Sequence, residues 1–446
     1  MKKYEAYKDT CIQWIGEIPE GWFIVPLKHY LSLKGRIGWN GLKSDEFQEK
    51  SYAYLVTGQD FNSDVVNWNK CYQISKERYD EDPFIQLENG DILVTKDGTI
   101  GKVAKVLGLD KPACLNSGIF VVKQTKDVFV QNYLYWLLVS NQLKEFVGYN
   151  STGTTIAHLY QNVFENMPLI VPSFSEQQII ADYLDHKVGQ IDASISAINA
   201  QIDDLKAYRM NVISEAVTKG LNINAPMKDS GVEWIGEIPD GWKIILLKRV
   251  ADISAGSTPS TNLEKYWKEE NYTWYTPSDI KECSLYLGDS ERKVSHVAAE
   301  EGALRIFPAM SALMVGIGNI GRVALTKKEC SANQQILSIS FYDNVNPIFG
   351  TFFLQASRDY IQSKANSALL AIINQTTTGN LEFLLPPLSE QQAIASYLDY
   401  KTSKIDAAIA SLESQRDDLN ALKQSVISEA VTGKIDVRGW KLNNEQ

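Results

Sequence analysis

The chain repeats itself, and the second copy begins about halfway along. Ile12–Trp22 reads IQWIGEIPEGW and Val232–Trp242 reads VEWIGEIPDGW. Ser175–Ile180 (SEQQII) returns as Ser389–Ile394 (SEQQAI), and Tyr183-Leu184-Asp185 returns as Tyr397-Leu398-Asp399. Val212–Thr218 (VISEAVT) returns as Val426–Thr432 without a change. The first pair is offset by 220 residues (234 − 14) and the later pairs by 214 (389 − 175; 426 − 212). A tandem duplication can build a pseudo-symmetric molecule with two related faces. The near-identical segments read as shared framework. The diverged segments between them are where the two copies do different things.

At 446 residues the chain has room for several domains, and its 44% hydrophobic and 22% charged content is that of a soluble globular protein. No apolar run approaches a membrane span, and the residues after the N-terminal lysines are too polar for a secretory signal. The five cysteines (Cys11, Cys71, Cys114, Cys283, Cys330) are odd in number and scattered, with no Cys-x-x-Cys. That points to a reducing, cytoplasmic setting and away from a structural zinc site. Net charge is −10. Lys+Arg against Asp+Glu is 18 to 20 over residues 1–172 and 15 to 18 over residues 225–386. A protein that grips nucleic acid alone carries a basic excess. Binding DNA with these near-neutral segments requires local basic loops and a partner that adds phosphate contacts.

Two segments read as long helices, about Ser175–Lys219 and Ser389–Thr432. The first has an apolar spine of Leu184, Val188, Ile191, Ile195, Ile198, Ile202, Leu205 and Val212, with Arg209 in the remaining slot. The second has Leu398, Ile405, Ile409, Leu412, Leu419 and Val426, with Thr402, Arg416 and Lys423 between them. Alternating three- and four-residue steps place one stripe on one face, as a coiled-coil seam requires. Matched register and length favour the two rods pairing with each other, antiparallel, over each packing on a local core. Some 44 residues at about 1.5 Å each make a rod of roughly 65 Å. Ser175 and Ser389 are the expected N-caps, with Glu-Gln-Gln in the first turn. Pro172 and Pro386-Pro387 end the preceding strands, and Gly220 and Gly433 sit where a C-cap glycine belongs. Residues 1–172 and 225–386 mix short apolar runs with Gly, Asn, Ser and aromatics, followed by helical stretches at Val130–Val147 and Ile348–Lys364. The fold class is therefore mixed α/β, with two heads and two long helices.

Several loops are candidate sites. Gly98-Thr-Ile-Gly101-Lys-Val-Ala104 matches Gly318-Asn-Ile-Gly321-Arg-Val-Ala324. A glycine pair beside β-branched residues suits a tight turn between strands, and Lys102 and Arg322 follow it within reach of a phosphate. A plain hairpin with a solvated cation is the competing reading. It is not a Walker loop, because Val103 follows Lys102 where Ser or Thr is needed. Ser254–Asp279 is rich in hydroxyls and amides, with Tyr266, Trp267, Trp274 and Tyr275 to brace it. Ser32–Asn40 and Tyr54–Asn62 stand near the same place in the first copy. Ser151–Thr155 is another polar loop, with His158 beside it. Nuclease chemistry would need clustered carboxylates and a lysine. Asp279, Glu291 and Lys293 have a loosely suitable spacing, which chance often produces. Only four histidines exist (His29, His158, His186, His296), and none stands in a metal-like pair.

The paired WIGEIPxGW openings, GSTPSTNLEKYW…WYTPSDI, the paired G-x-I-G-K/R-V-A turns, and the two SEQQxI starts leading to VISEAVT together resemble the specificity subunit of type I restriction–modification systems. The resemblance covers nearly the whole chain. It implies two target-recognition domains, each reading half of a split DNA sequence. It implies helical repeats that act as a ruler and dock two methyltransferase subunits, with two motor–nuclease subunits joining for restriction. It implies no cofactor of the chain's own, with S-adenosylmethionine, ATP and Mg on the partners, and a non-catalytic role. The first copy departs from the pattern. It lacks the GSTPS run, and Asn116-Ser117-Gly118 stands where the second copy has Asn333-Gln334-Gln335.

The expected division is 1–172 for the first recognition domain, 173–220 for the first helical repeat and 221–228 for a linker. Residues 229–386 form the second recognition domain, 387–433 the second helical repeat and 434–446 the tail. The expected partner is double-stranded DNA, with no membrane. The expected DNA contacts are Lys34, Arg36, Asn40, Lys96, Thr99, Lys102, Thr152 and Thr154 in the first copy. In the second they are Ser257, Thr258, Ser260, Lys265, Asn319 and Arg322. A self-sufficient nuclease using Asp279, Glu291 and Lys293, and a coiled-coil adaptor without DNA binding, are the alternatives.

Overall fold

The computed structural model describes residues 2–36, 42, 46–62, 64–150, 158–268, 271–282, 284–367 and 371–441. They form two compact units, residues 1–197 with 415–446, and residues 198–414. This partition cuts across the linear one. Each unit combines one head with a portion of both long helices.

The heads are mixed α/β, and they share a plan. In the first, Leu31–Lys34, Ile119–Gln124, Ile92–Thr95 and Val103–Lys105 lie side by side, extended by Val65–Val66 and Phe61–Asn62. In the second, Ala251–Ala255, Ile336–Phe341, Ala312–Val315 and Val323–Leu325 repeat the first four in the same antiparallel order. Beside each runs a three-stranded sheet. Its middle strand, Ala53–Val56 or Tyr272–Tyr275, pairs parallel to one neighbour and antiparallel to the other. The central strands read as unbroken apolar runs because both faces are covered. Ile92 and Val94 pack with Tyr133, Leu134 and Leu137 of a following helix. Leu93, on the other face, packs with Leu55 and Cys114 of the small sheet. In the second unit Ala312 and Met314 face Phe349 and Phe353, while Leu313 and Val315 face Tyr275 and Ala332. Burial pushes the Cys114 thiol up to about 11 and that of Cys330 up to about 12, so both are inert core groups.

The head helices are each broken once. Gln131–Val139 and Asn141–Asn150 flank Ser140, whose backbone is extended (ψ 168) and whose hydroxyl donates to the Leu137 carbonyl at 2.6 Å. Pro347–Ala356 and Arg358–Ser363 flank Ser357, which bonds back to the Phe353 carbonyl at 2.9 Å. A serine that satisfies its own turn competes with helix continuation.

The long helices span Phe174–Lys219 and Leu388–Val431. Their starts correct the expected caps. Both helices begin one residue before the expected serines. In the first, the capping hydroxyl is that of Ser173, which accepts from the Glu176 amide and donates to the Glu176 carboxylate. In the second, Pro387 occupies that place and offers only its carbonyl, to Glu390 and Gln391. Within each unit the helices run antiparallel. In the first, Leu184 and Val188 share a core with Val426 and Ile427, and Lys423 reaches the Asp192 carboxylate at 2.7 and 2.8 Å. In the second, Ile213 and Val217 share a core with Ile394 and Leu398, and Ile198, Ile202 and Leu205 pack against Ile405, Ile409 and Leu412. There the wholly buried Arg209 holds Asp406 through Nε at 2.8 Å and Nη2 at 3.3 Å. Arg209 and Lys423, two of the polar residues in the seam, are thus partners of carboxylates on the opposite helix. The two pairs correspond under the 214 offset, since 406 − 192 and 423 − 209 both equal 214.

The duplicated motifs meet at one place in each unit. Trp22, 1% exposed, donates its indole N–H to Glu176 at 3.3 Å, and Trp242 does the same to Glu390 at 2.8 Å. Gly433, with φ +69, lies so close that a Cβ there would stand 2.4 Å from Pro19 Cδ and 3.0 Å from Trp22. Gly220, with φ +74, approaches Trp242 at 3.1 Å in the same sense. The buried Gln177 of SEQQ accepts from the Val130 amide and donates to the Val128 and Pro172 carbonyls. Gln391 makes the same set with Asn346, Asn344 and Pro386.

Gly433→Ala combines a left-handed backbone with a methyl driven against Pro19 and Trp22, and is expected to cost about 2 kcal/mol or more. Gly21→Ala, whose new methyl meets nothing within 4 Å, is the matched control. Thermal unfolding of the two should show a lowered midpoint for the first alone. Equal midpoints would mean the helix end is not held by this contact.

Candidate nucleic-acid interface

Three turns line one groove in each head. The first is Thr57-Gly-Gln-Asp60, matched by Thr276-Pro-Ser-Asp279. Asp60 Oδ2 accepts from the Thr57 amide at 2.6 Å and its hydroxyl at 2.8 Å. Asp279 Oδ2 repeats this with Thr276 at 2.7 and 2.8 Å. Such a carboxylate reaches back three residues and closes the turn around the two residues between. Burial raises the Asp60 carboxyl, and the Thr57 bonds oppose that rise.

The second turn is the glycine pair. Gly98 and Gly101 have φ of +69 and +81, and Gly318 and Gly321 have +84 and +81. These are left-handed positions that glycine occupies without a Cβ penalty. The hairpin closes by Gly101 N–H to the Thr95 carbonyl and Gly321 N–H to the Val315 carbonyl, both at 3.0 Å. The third turn is Asn116–Gly118, matched by Asn333–Gln335. It is tied to the second by Lys96 N–H to the Gly118 carbonyl at 2.9 Å and Gly316 N–H to the Gln335 carbonyl at 2.8 Å. The backbone frame is common to both heads, and several of the side chains on it differ, among them Thr99/Asn319 and Gly118/Gln335.

Thr99 and Lys102 line the first groove, and Asn319 and Arg322 line the second. Arg322 donates from Nη2 to the Pro277 carbonyl at 3.0 Å, which links the second turn to the first. Lys96, half-buried, lies 4.8 Å from the centroid of the Phe120 ring, and burial lowers its pKa. Asp97 bonds to His158 in the first head, while the corresponding bridge in the second is between Ile317 and Ile372. The outer wall also diverges. Phe47 stacks on Tyr72 at 5.4 Å in the first groove, whereas Asp289, Glu291 and Arg292 line the second.

The remaining expected contacts lie elsewhere. Lys34 is exposed at a strand end, 5.3 Å from the Phe84 ring centroid. Arg36 is not on the surface. It is 1% exposed and donates from Nε to the Leu115 carbonyl at 3.0 Å, so it straps the small sheet from inside. Ser257 holds the second head together. Its carbonyl accepts from Trp274 and its hydroxyl from the Arg305 amide, both at 3.0 Å. Thr258 bonds Gln334, the Ser260 carbonyl accepts from Trp267, and Lys265 pairs with Glu301 at 2.6 Å. These four belong to a patch whose tryptophans brace the loop, apart from the groove lining. Asn40, Thr152 and Thr154, with the rest of Ser151–Thr155, lie outside the described residues. Sequence reading included the first turn in the candidate stretches Tyr54–Asn62 and Ser254–Asp279 but named none of its residues as a DNA contact. The turn's signal is Thr-x-x-Asp in both copies at an offset of 219 (276 − 57). The same geometry bears on the nuclease alternative, because Asp279 does for its turn what Asp60 does in the other head.

A family model described as the type I restriction modification DNA specificity domain matches residues 40–204 and 239–414. Among curated relatives, the MjaVIII specificity subunit of Methanocaldococcus jannaschii is 26% identical over 437 residues, covering 94% of each chain. The StySPI specificity subunit of Salmonella potsdam is 22% identical, covering 96% of this chain and 92% of its own. A chain from a solved structure of the type I R-M system, described in terms of complex assembly and conformational transition, has the same fold. Its TM-score is 0.68 at 15% identity, over 94% of this chain and 99% of that one.

Asp60→Ala and Asp279→Ala each remove an acceptor of two hydrogen bonds and are expected to cost about 1–2 kcal/mol in urea unfolding. Asp279→Asn keeps one acceptor and should lose less. Magnesium-dependent DNA cleavage by the purified chain that Asp279→Asn abolished would instead make this carboxylate catalytic.

Proposed function

Because the chain belongs to the family of type I restriction–modification DNA specificity subunits, we propose that each head reads one half of an asymmetric, bipartite DNA site. The observation that carries this reading is the pair of grooves, which share a backbone frame and its holding residues but differ at Gln59/Ser278, Thr99/Asn319, Lys102/Arg322 and Gly118/Gln335. A shared frame presents reading groups at the same depth, and different groups read different base edges. Thr99 and Lys102 in one head and Asn319 and Arg322 in the other are the contacts this reading favours first. Lys34, Lys96, Thr258, Ser260 and Lys265 are proposed as flanking phosphate contacts.

The chain recognises and its partners react. Two methyltransferase subunits dock on exposed positions beside the helical seam, and two motor–nuclease subunits join them for restriction. S-adenosylmethionine, ATP and Mg belong to those subunits. Near-neutral heads fit this division, since the partners supply the further backbone contacts that affinity requires. The long helices set the distance between the two half-sites. The reading places the complex in the cytoplasm.

Expression with the neighbouring methyltransferase in a methylation-free host, followed by mapping of modified bases, tests the reading. The expected product is a split, asymmetric motif, one half of which changes when residues 229–386 are exchanged for those of another family member. No chain-dependent modification, with the methyltransferase shown to be bound, would refute it. Deleting one heptad from both helices is expected to shorten the spacer between the halves, by about 10 Å of helix rise. An unchanged spacer would remove the ruler role.

A further inference from the structure

The two grooves differ most sharply at one backbone position. Gly118 and Gln335 are equivalent, because each carbonyl accepts the amide of the residue just before its glycine turn, Lys96 or Gly316. One head has no side chain there, and the other has a long amide.

Gln335 is held on three sides. Its N–H donates to Asn333 Oδ1 at 3.1 Å, its carbonyl accepts from Gly316 at 2.8 Å, and its side-chain Oε1 accepts from Asn333 Nδ2 at 3.0 Å. Half-buried, it lines the same groove as Asn319 and Asp279. The Asn333 bond uses one lone pair of Oε1. The second lone pair and both Nε2 hydrogens are left to face a ligand. A donor and an acceptor side by side on a fixed amide match N7 and the N6 amino group of adenine in the major groove. Immobilising the side chain beforehand removes the rotamer cost of making that contact.

We propose that Gln335 is a specificity-determining residue that reads an adenine in the half-site of the second head. We further propose that Gly118 leaves the corresponding base pair unread by that route in the first. The proposal rests on the half-site reading above and adds the residue and the base. It also accounts for asymmetry on a common frame, since a single side chain present in one head and absent from the other breaks the equivalence of the halves. The position in the first head is open to test. Gly118 has no left-handed backbone, and a Cβ there would meet only the Asp97 side chain, at 3.7 Å, an ordinary contact.

The experiment is methylation mapping of the full complex with Q335A, Q335N and G118Q. Q335A is expected to relax one position of the second half-site, with discrimination for adenine falling about 10-fold, while the first half-site stays as it was. G118Q is expected to sharpen one position in the first half-site. The proposal is overturned if Q335A keeps the original motif, if it relaxes the first half-site, or if Q335A and Q335N both abolish modification. Exchange of residues 229–386 separates this failure from that of the underlying reading. If the exchange changes one half and Q335A does not, only the role of Gln335 falls.

Discussion

The contact on which each unit depends is a buried tryptophan held between the beginning of one helix and the end of the other. Trp22 donates to Glu176 and lies against Gly433, and Trp242 donates to Glu390 and approaches Gly220. Burying an indole N–H without an acceptor costs free energy, and a glutamate in the first helical turn is an acceptor that also favours the helix dipole. The far edge of the ring needs a neighbour with no Cβ, and a left-handed glycine is that neighbour. WIGEIPxGW, SEQQ and the glycine after VISEAVT are therefore three sides of one contact. Their near-identity between copies follows from this geometry.

The seam adds a second constraint. Apolar spines alone permit a helix pair to slip by a turn, because each rung resembles the next. Lys423 on Asp192, and Arg209 on Asp406, distinguish one register from its neighbours. Removing either partner would leave the other charge without its counterpart, most severely for Arg209, which is wholly buried. The stripes of the sequence thus carry both attraction and alignment, and the alignment lies in the residues that interrupt them.

The long helices, the closing glycines, the mixed heads and the hairpin glycines were legible in the sequence, because each rests on local periodicity or on a backbone angle that one residue type adopts cheaply. What escaped was set by tertiary context. Arg36 reads as a surface cation beside a polar loop, but the small sheet offers it a buried carbonyl, and burial wins. Ser257 reads as a phosphate ligand, but two tryptophans and the Arg305 amide draw its loop inward. The Thr-x-x-Asp turns were visible as letters and invisible as a pair, since only the fold brings them beside the glycine turns. The cap serines were misplaced by two residues in the first helix, because Ser173 and Ser175 satisfy the same local rule and only the path of the preceding strand chooses between them.

The repeat in the sequence is not the unit of the structure. Clamp one takes its tryptophan and glutamate from the first copy and its glycine from the second, and clamp two does the reverse. A chain severed between the copies would leave each half holding a tryptophan with no helix end to close on. It would also leave each half a spare helix end with no tryptophan. Two molecules of the same half could each complete the other's clamp. Their paired product would carry two identical grooves, and so would turn an asymmetric reader into a palindromic one.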